Sequence, residues 1–336
     1  MRVSRREFII TTLAGLLLSA QKKKYYINSV ESRLNIDDLG TTLIHEHFLV
    51  DFIGADKISL HRWDRETVAK KVLPFILEAK QAGVKSIFDC TPNFLGRDVT
   101  LLQMLSKESG VNIITNTGYY GAISNKYLPA WAFSESKDQL AKRWIDEFEL
   151  GIDNTNVRPG FIKIGVDAGE GGLSEIHKKL VRASGLTHLK TGLTICSHTG
   201  PGEPALEEIS ILKTEGVGAS AFVWVHAQAE KDKTIHAKVA QLGSWVSLDG
   251  IGWGDFNNYA DSIHRLKLQG LLHRVLISHD AGWYKPDDPG GEFRGYTNIF
   301  TQLIPLLKQR EFSEKEIELL LVRNPAEAMG MRVRKG

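Results

Sequence analysis

Two histidines, His45 and His47, stand two residues apart in an apolar run that reads TTLIHEHFLV from Thr41 to Val50. Side chains of a β-strand alternate between its two faces, so both imidazoles are predicted to project to the same side. Imidazole is the commonest protein ligand for zinc-like ions, and two rings on one face supply half of a tetrahedral ligand set. Two hydrogen-bonded core histidines are the favoured explanation of the pair taken alone, so a metal site depends on further ligands elsewhere in the chain.

Four more candidate ligands lie in later apolar runs. Lys163 lies inside GFIKIGVD, while the runs LTICSH, SAFVWVH and RVLISHD end on His198, His226 and Asp280. A single histidine at a strand end is more often structural than a metal ligand. Three strand ends that carry His or Asp, together with the His-x-His pair, favour one shared metal site.

Lys163 is flanked by Ile162 and Ile164 in its run. A protonated lysine there would face desolvation and repulsion from neighbouring cations, and both effects favour the neutral amine. A neutral amine reacts with carbon dioxide to form a carbamate, an anion that can bridge two metal ions. The alternative is a lysine that snorkels or pairs with a buried acid such as Asp89. The residues alone do not decide between the two.

Short β-rich runs alternate with amphipathic, helix-like segments along the chain. Eight strands are predicted, at residues 42–50, 84–91, 112–120, 160–167, 193–198, 220–226, 245–248 and 274–280. Crossover helices return the chain to the same end of a sheet, which predicts parallel strands closed into a (β/α)8 TIM barrel. An open doubly wound sheet is the alternative, but the glycine-rich GxGxxG turn expected after its first strand is absent.

The length of the chain fits a single barrel domain. The chain has 336 residues, 42% of them hydrophobic, and a formal charge of +2. This balance gives no sign of a nucleic-acid surface, and no low-complexity linker divides the body, so one domain is predicted from residue 25 to residue 336. Cys90 and Cys196 fall in separate apolar runs and are predicted to be buried free thiols.

Residues 1–24 differ from the rest of the chain. Ser4 to Ile9 read SRREFI and precede an apolar run that ends at the small pair Ser19-Ala20. This layout is typical of a twin-arginine export signal, and its apolar part is shorter than the roughly 20 residues of a membrane span. We therefore expect export to the periplasm with cleavage after Ala20. Leu18 fits a cleavage site poorly, so an uncleaved membrane tether is the alternative.

The ordered set of candidate ligands resembles the phosphotriesterase family of the amidohydrolase superfamily, which includes phosphotriesterase-like lactonases and phosphotriesterase-related proteins. The resemblance extends to the stretches IHEH, DCTPNFLGRDV, NTGYY, GFIKIG, SHTG and SHDAGW, so it covers essentially the whole chain after the export signal. It implies a (β/α)8 barrel with two divalent metal ions, usually zinc, with manganese, cobalt or iron as alternatives. It also raises the expectation of a homodimer.

The resemblance assigns a role to each candidate ligand. The His-x-His pair and Asp280 would hold the more buried ion, and His198 and His226 the more exposed one. Lys163, carboxylated on its Nζ, and a hydroxide would bridge the two ions. Asp280 would be the catalytic residue that accepts the proton of the hydroxide and passes it toward the leaving group. The neighbouring His279 points to the other face by strand alternation, so we expect it to be structural.

Two departures from the family pattern bear on the substrate. Organophosphate-hydrolysing members carry an aspartate three residues after the sixth-strand histidine, where this chain has Ala229. After Leu248-Asp249 those members have a histidine and the lactonases an arginine, where this chain has Gly250. Tyr120 matches a pocket tyrosine of the lactonases, and Trp283 is a second candidate for the pocket wall.

These observations predict a metal-dependent hydrolase that attacks an ester, lactone or amide carbonyl, with phosphotriester cleavage as a secondary activity. A phosphodiesterase on the same barrel should carry cations near the mouth, for which only Lys285 and Arg294 are candidates. A non-catalytic binding protein on a metal-barrel scaffold is the rival from another class. Such a protein should have lost some ligands, and none of the six is lost here.

Overall fold

The computed structural model describes residues 24–336, so the predicted export signal lies outside the described residues except for Lys24. A short antiparallel hairpin of β1 (Tyr26–Asn28) and β2 (Arg33–Asn35) precedes the barrel and was not predicted. All pairings of the remaining strands are parallel. These strands are β3 (Thr42–Leu49), β4 (Ser86–Asp89), β5 (Asn112–Ile114), β6 (Asn116–Thr117), β7 (Phe161–Gly165), β8 (Thr194–His198), β9 (Phe222–Val225), β10 (Trp245–Leu248), β11 (Val275–Ile277) and β12 (Gly282–Tyr284).

The parallel strands form two sheets that follow one another around the barrel. One sheet has the order β6-β7-β8-β9-β10-β11 and the other β5-β4-β3-β12. Only Thr115 separates β5 from β6, so the two sheets meet within the third predicted strand. On the opposite side the Asp280 N–H donates to the His45 carbonyl oxygen at 3.0 Å. The strand order is that of a (β/α)8 TIM barrel, which confirms the predicted fold class.

Helices connect the parallel strands and cover the outside of the sheets. Within the described residues the α-helices are α1 (Arg65–Gln81), α2 (Val99–Ser109), α3 (Trp131–Ser134), α4 (Lys137–Leu150), α5 (Glu175–Thr191), α6 (Gly202–Thr214), α7 (Thr234–Gln241), α8 (Phe256–Leu268), α9 (Ile304–Gln309), α10 (Glu314–Glu318) and α11 (Asn324–Met329). The Asp64 carboxylate caps α1 by accepting the Thr67 N–H, and Gly83 just beyond the helix has a positive φ. No helix in residues 24–336 has the length and apolar character needed to cross a bilayer.

The barrel interior and the layer under the helices are separate parts of the core. A cluster that includes Phe88, Phe161 and Leu276 contains inward-facing strand residues, while a larger cluster packs the outer faces of the strands against the helices. Cys90 and Cys196 belong to the interior cluster, and both are buried free thiols, as predicted. A packed interior leaves only the carboxyl ends of the strands open to a ligand.

Candidate metal centre

The structure brings all the predicted ligands together around one cavity of about 130 Å³ at the carboxyl ends of the strands. They reach it from strands that are far apart in the sequence. The side chains are those of His45 and His47 in β3, Lys163 in β7, His198 at the end of β8, His226 immediately after β9, and Asp280 between β11 and β12.

Three imidazoles direct their Nε2 atoms at the Asp280 carboxylate. Oδ1 of Asp280 lies 3.1 Å from Nε2 of His47 and 3.6 Å from Nε2 of His45. The other carboxylate oxygen, Oδ2, lies 4.0 Å from Nε2 of His226. The donor atoms of His45, His47 and Asp280 all lie within 4.8 Å of one another, which is the spacing that ligands of one metal ion require.

Asp249 holds two of these rings from behind. Its carboxylate lies 3.1 Å from Nδ1 of His45 and 2.8 Å from Nδ1 of His226, and it also accepts the His226 N–H. A carboxylate at Nδ1 keeps the proton there and leaves Nε2 free to bind a metal ion. In the sequence, Asp249 stands out only as part of the family pattern at Leu248-Asp249. The available signal was a buried acid at the end of the seventh predicted strand.

Thr91 has the corresponding role for His47. Its hydroxyl oxygen lies 2.8 Å from Nδ1 of His47 and donates its own proton to the Leu49 carbonyl at 3.0 Å. The hydroxyl therefore accepts the Nδ1 proton, and Nε2 of His47 faces Asp280 as a bare lone pair. The sequence carried no signal for this residue, because a threonine just after a strand is common.

Burial and neighbouring charges shift the pKa values of four of the six candidate ligands. Burial lowers the pKa of His45 to about 4 and holds the pKa of His198 well below its ordinary value, so both rings are neutral at neutral pH. Burial acts in the same direction on His226, but the Asp249 carboxylate outweighs it and raises the pKa of that ring. Burial would raise the pKa of Asp280, yet the neighbouring imidazoles of His47, His45 and His226 lower it.

Lys163 is 1% exposed and faces the cavity, with Nζ 5.9 Å from the centroid of the Tyr120 ring. No carboxylate within residues 24–336 forms an ion pair with it. Asp89, the acid considered as its partner, instead accepts the Phe48 N–H at 3.3 Å. Burial raises the pKa of Asp89 to about 7. The pairing alternative for Lys163 therefore does not hold in this structure.

The cavity wall around the candidate ligands is mainly apolar. Tyr120 packs against His198 with ring centroids 5.0 Å apart, and Trp283 packs against His47 at 5.6 Å, so both predicted wall residues line the cavity. The other apolar residues of the wall are Val50, Phe52, Leu95 and Ile123. Such a wall suits an uncharged, apolar part of a small ligand.

The structure explains the glycine at position 250. A Cβ on Gly250 would lie 2.5 Å from Nε2 of Gln228 and 2.7 Å from the Tyr259 hydroxyl oxygen. Gln228 also accepts the Asp249 N–H at 3.2 Å, so its side chain is tied to the acid behind the histidines. A side chain at position 250 would therefore require the Gln228 amide and the Tyr259 hydroxyl to move.

The cations proposed for a phosphodiesterase do not line the cavity. The guanidinium carbon of Arg294 lies 3.5 Å from the centroid of the Trp253 ring. Lys285 directly follows β12 and forms an isolated β-bridge with Asp288. Neither residue lines the cavity. Both indole N–H groups of Trp253 and Trp283 donate to the Asp280 carbonyl oxygen, at 3.0 and 3.1 Å. The segment after the eighth predicted strand therefore contributes the Trp283 ring, rather than a cation, to the cavity wall.

A barrel that gathers imidazoles and a carboxylate at the carboxyl ends of its strands defines the class of metal-dependent TIM-barrel hydrolases. The sequence pattern of the phosphotriesterase family matches residues 25–329, and the chain belongs to this family, whose members are binuclear metal enzymes.

Several characterised relatives are similar over most of their length. The phosphotriesterase homology protein of Escherichia coli is 29% identical over 88% of this chain and 99% of its own. The aryldialkylphosphatase of Saccharolobus solfataricus is 30% identical over 89% of this chain and 96% of its own. The N-acetyltaurine hydrolase of Dictyostelium discoideum is 27% identical over 86% of this chain and 80% of its own. The names of the last two relatives refer to hydrolysis of different bond types.

Proposed function

We propose that the protein is a two-metal hydrolase that cleaves an ester, lactone or amide bond in a small-molecule substrate. The observation that carries this proposal is the convergence of three Nε2 atoms on Asp280, with the rings held from behind by Asp249 and Thr91. Zinc is the preferred metal, with manganese, cobalt or iron as alternatives. The proposed ligands are His45, His47, Lys163 carboxylated on Nζ, His198, His226 and Asp280.

Two divalent ions held there would supply a hydroxide near neutral pH and polarise the carbonyl oxygen of the substrate. Asp280 is the proton carrier of the proposed mechanism. Its lowered pKa keeps it ionised, so it can accept the proton of the attacking water and deliver it to the leaving group. The apolar wall, which includes Tyr120 and Trp283, would exclude bulk water and orient the acyl part of the substrate.

Two departures from the family pattern bear on the type of bond that is cleaved. Ala229 and Gly250 stand where organophosphate hydrolases have their aspartate and histidine, which favours a carbonyl substrate over a phosphotriester. Similarity to N-acetyltaurine hydrolases supports an amide as one candidate. Similarity to an aryldialkylphosphatase supports phosphotriester hydrolysis as the second candidate function.

The test is a substrate screen on metal-loaded protein, combined with metal analysis. Zinc- or manganese-loaded protein would be assayed with lactones, aryl esters, N-acyl amino compounds and phosphotriesters. His226→Ala should lower the turnover of any hydrolysed substrate by about 100-fold or more and reduce the bound metal. His273→Ala is the control, because that ring is exposed and bonds only to the Gly270 carbonyl. Full activity in His226→Ala would show that the two-metal mechanism is wrong, and binding without turnover would favour the binding-protein alternative.

We also propose that residues 1–24 direct the protein to the periplasm. The proposal is supported by the paired Arg5 and Arg6 ahead of a short apolar run. Replacement of both arginines by lysine should retain the protein in the cytoplasm, as judged by fractionation. Unchanged periplasmic yield would contradict the twin-arginine route.

A further inference from the structure

Glu46 stands between the two histidines of β3, and its side chain is fully buried on the opposite face of the strand. It accepts four hydrogen bonds from the segment that carries Asp280. Its Oε1 accepts the Ser278 hydroxyl at 2.8 Å, the His279 N–H at 3.1 Å and the His279 Nδ1–H at 2.7 Å, and its Oε2 accepts the Ala281 N–H at 3.0 Å. One carboxylate therefore connects the strand of two candidate ligands to the turn of a third.

The turn that Glu46 holds has an unusual backbone. Asp280 has φ +51°, in the left-handed region that non-glycine residues seldom adopt, and Trp283 follows with φ +76°. The Asp280 N–H donates to the His45 carbonyl, and its own carbonyl accepts the indole N–H groups of Trp253 and Trp283. A residue in this region persists only where its surroundings fix it from several sides.

The partners of Glu46 require an acceptor at both carboxylate oxygens. The Ile299 N–H donates to Nε2 of His279 at 3.0 Å, so the proton of that ring is on Nδ1 and can only be donated. The backbone N–H groups of His279 and Ala281 are donors by nature. Only the Ser278 hydroxyl could reverse, and it already accepts the His45 N–H at 3.0 Å. A glutamine here would place its NH₂ group against at least one donor.

We propose that Glu46 is a positioning residue that fixes Asp280 relative to His45 and His47. The inference rests on the proposed function in one respect, namely that these three residues share an ion. Loss of the Glu46 carboxylate would release the turn, let Asp280 leave its left-handed conformation, and move the Trp283 ring that lines the cavity. The ion held by His45, His47 and Asp280 would then be bound more weakly than the ion held by His198 and His226.

The experiment compares Glu46→Gln with the parental protein and with Glu208→Gln. Glu208 is also fully buried, but its carboxylate contacts the hydroxyls of Ser197 and Thr199, which can reverse to suit an amide. Zinc affinity would be measured by competition with a chromophoric chelator, and backbone opening by hydrogen exchange of residues 278–284. Glu46→Gln should bind one of two zinc ions about 10- to 100-fold more weakly and exchange faster in that segment. Glu208→Gln should match the parental protein in both measurements.

A second variant covers the case in which Glu46→Gln does not fold. Ser278→Ala removes one of the four donors and leaves the carboxylate, so it should weaken the same zinc ion by a smaller factor. Affinity and exchange equal to those of Glu208→Gln in both variants would overturn the proposal, as would equal weakening in Glu208→Gln. A parental protein that binds no zinc would refute the proposed function, and the exchange of residues 278–284 would then decide the role of Glu46 by itself.

Discussion

Asp249 accepts hydrogen bonds from rings that belong to different strands of the barrel. One of these rings is that of His45 in β3, and the other is that of His226 directly after β9. His226 has φ +62°, and Asp249 also accepts its N–H, so the same carboxylate fixes both the strained backbone and the ring of that residue. A single buried acid thereby sets the orientation of one proposed ligand for each ion.

Asp249→Asn should weaken metal binding without removing a proposed ligand. The amide places its NH₂ group against one Nδ1–H, so one ring must turn or move its proton to Nε2, where it blocks the metal. We expect total zinc affinity to fall by about 10- to 100-fold, measured by chelator competition. Asp255→Asn is the control, since Asp255 is an exposed helix cap and asparagine caps equally well. Equal affinity in the two variants would contradict this role of Asp249.

Glu208 should make stability depend on pH. Burial raises its pKa to about 8, although hydroxyls of Ser197 and Thr199 bond to it. The Thr199 hydroxyl oxygen lies 2.7 Å from Oε2 of Glu208 and 3.0 Å from the Ser197 carbonyl oxygen. When Glu208 is protonated, this hydroxyl can accept the carboxyl proton of Glu208 and donate its own proton to the Ser197 carbonyl. Below the ordinary value of 4.5 both folded and unfolded chains are protonated, and above it only the folded chain remains so. The contribution of Glu208 to the free energy of unfolding is therefore lost as the pH rises from 4.5 through about 8.

Glu208→Gln should remove this pH dependence. The free energy of unfolding of the variant, taken relative to that of the parental protein, should rise from pH 5 to pH 8. The rise is at most about 1.4 kcal/mol for each unit of pKa shift. Urea unfolding at both pH values measures the difference. A stability difference that is the same at pH 5 and pH 8 would show that Glu208 is ionised in the folded protein throughout.

At the scale of elements, the position of Lys163 depends on a close approach between neighbouring backbones. Gly118 lies directly after β6 with φ +115°, and a Cβ there would lie 2.2 Å from the Lys163 carbonyl oxygen. The strand that carries Lys163 can therefore lie against the end of β6 only because residue 118 has no side chain.

Gly118→Ala should be strongly destabilising. The clash with the β7 backbone and the left-handed φ together should lower the free energy of unfolding by about 2–5 kcal/mol. Gly243→Ala is the matched control, because Gly243 has φ +97° but no atom within 4 Å of its Cβ position, and it should lose only about 1–2 kcal/mol. Chemical denaturation measures both. Equal losses in the two variants would mean that the contact with Lys163 relaxes without strain.

At the scale of the whole molecule, the proposed ions would join strands from opposite sides of the barrel. An ion that binds only the folded chain adds about 2.7 kcal/mol of stability at a concentration 100 times its dissociation constant. Removal of one such ion with a chelator should therefore lower the Tm by about 4 °C, and removal of both by about 8 °C, as measured by scanning calorimetry. Asp280→Ala should show a smaller shift on chelation. An identical Tm with and without zinc would contradict metal binding by the folded barrel.

Short apolar, β-rich runs that alternate with amphipathic segments were distinct enough to predict most of the barrel from the sequence. The runs ending in His198 and His226 were placed within a residue or two of the observed strand ends, and the third run was predicted unbroken although it divides at Thr115. The hairpin of β1 and β2 and the strand β12 escaped prediction. Three-residue strands are too short for a period of two to stand out from chance.

The sequence by itself determined the fold class and the shared face of His45 and His47, because strand periodicity is a local property of the chain. The tertiary structure decided which acids hold those ligands. Asp249 is 204 positions from His45, and Glu46 is 232 positions from Ser278. Contacts at such separations depend on the register and curvature of the assembled sheet, which leave no periodic trace in the amino-acid sequence.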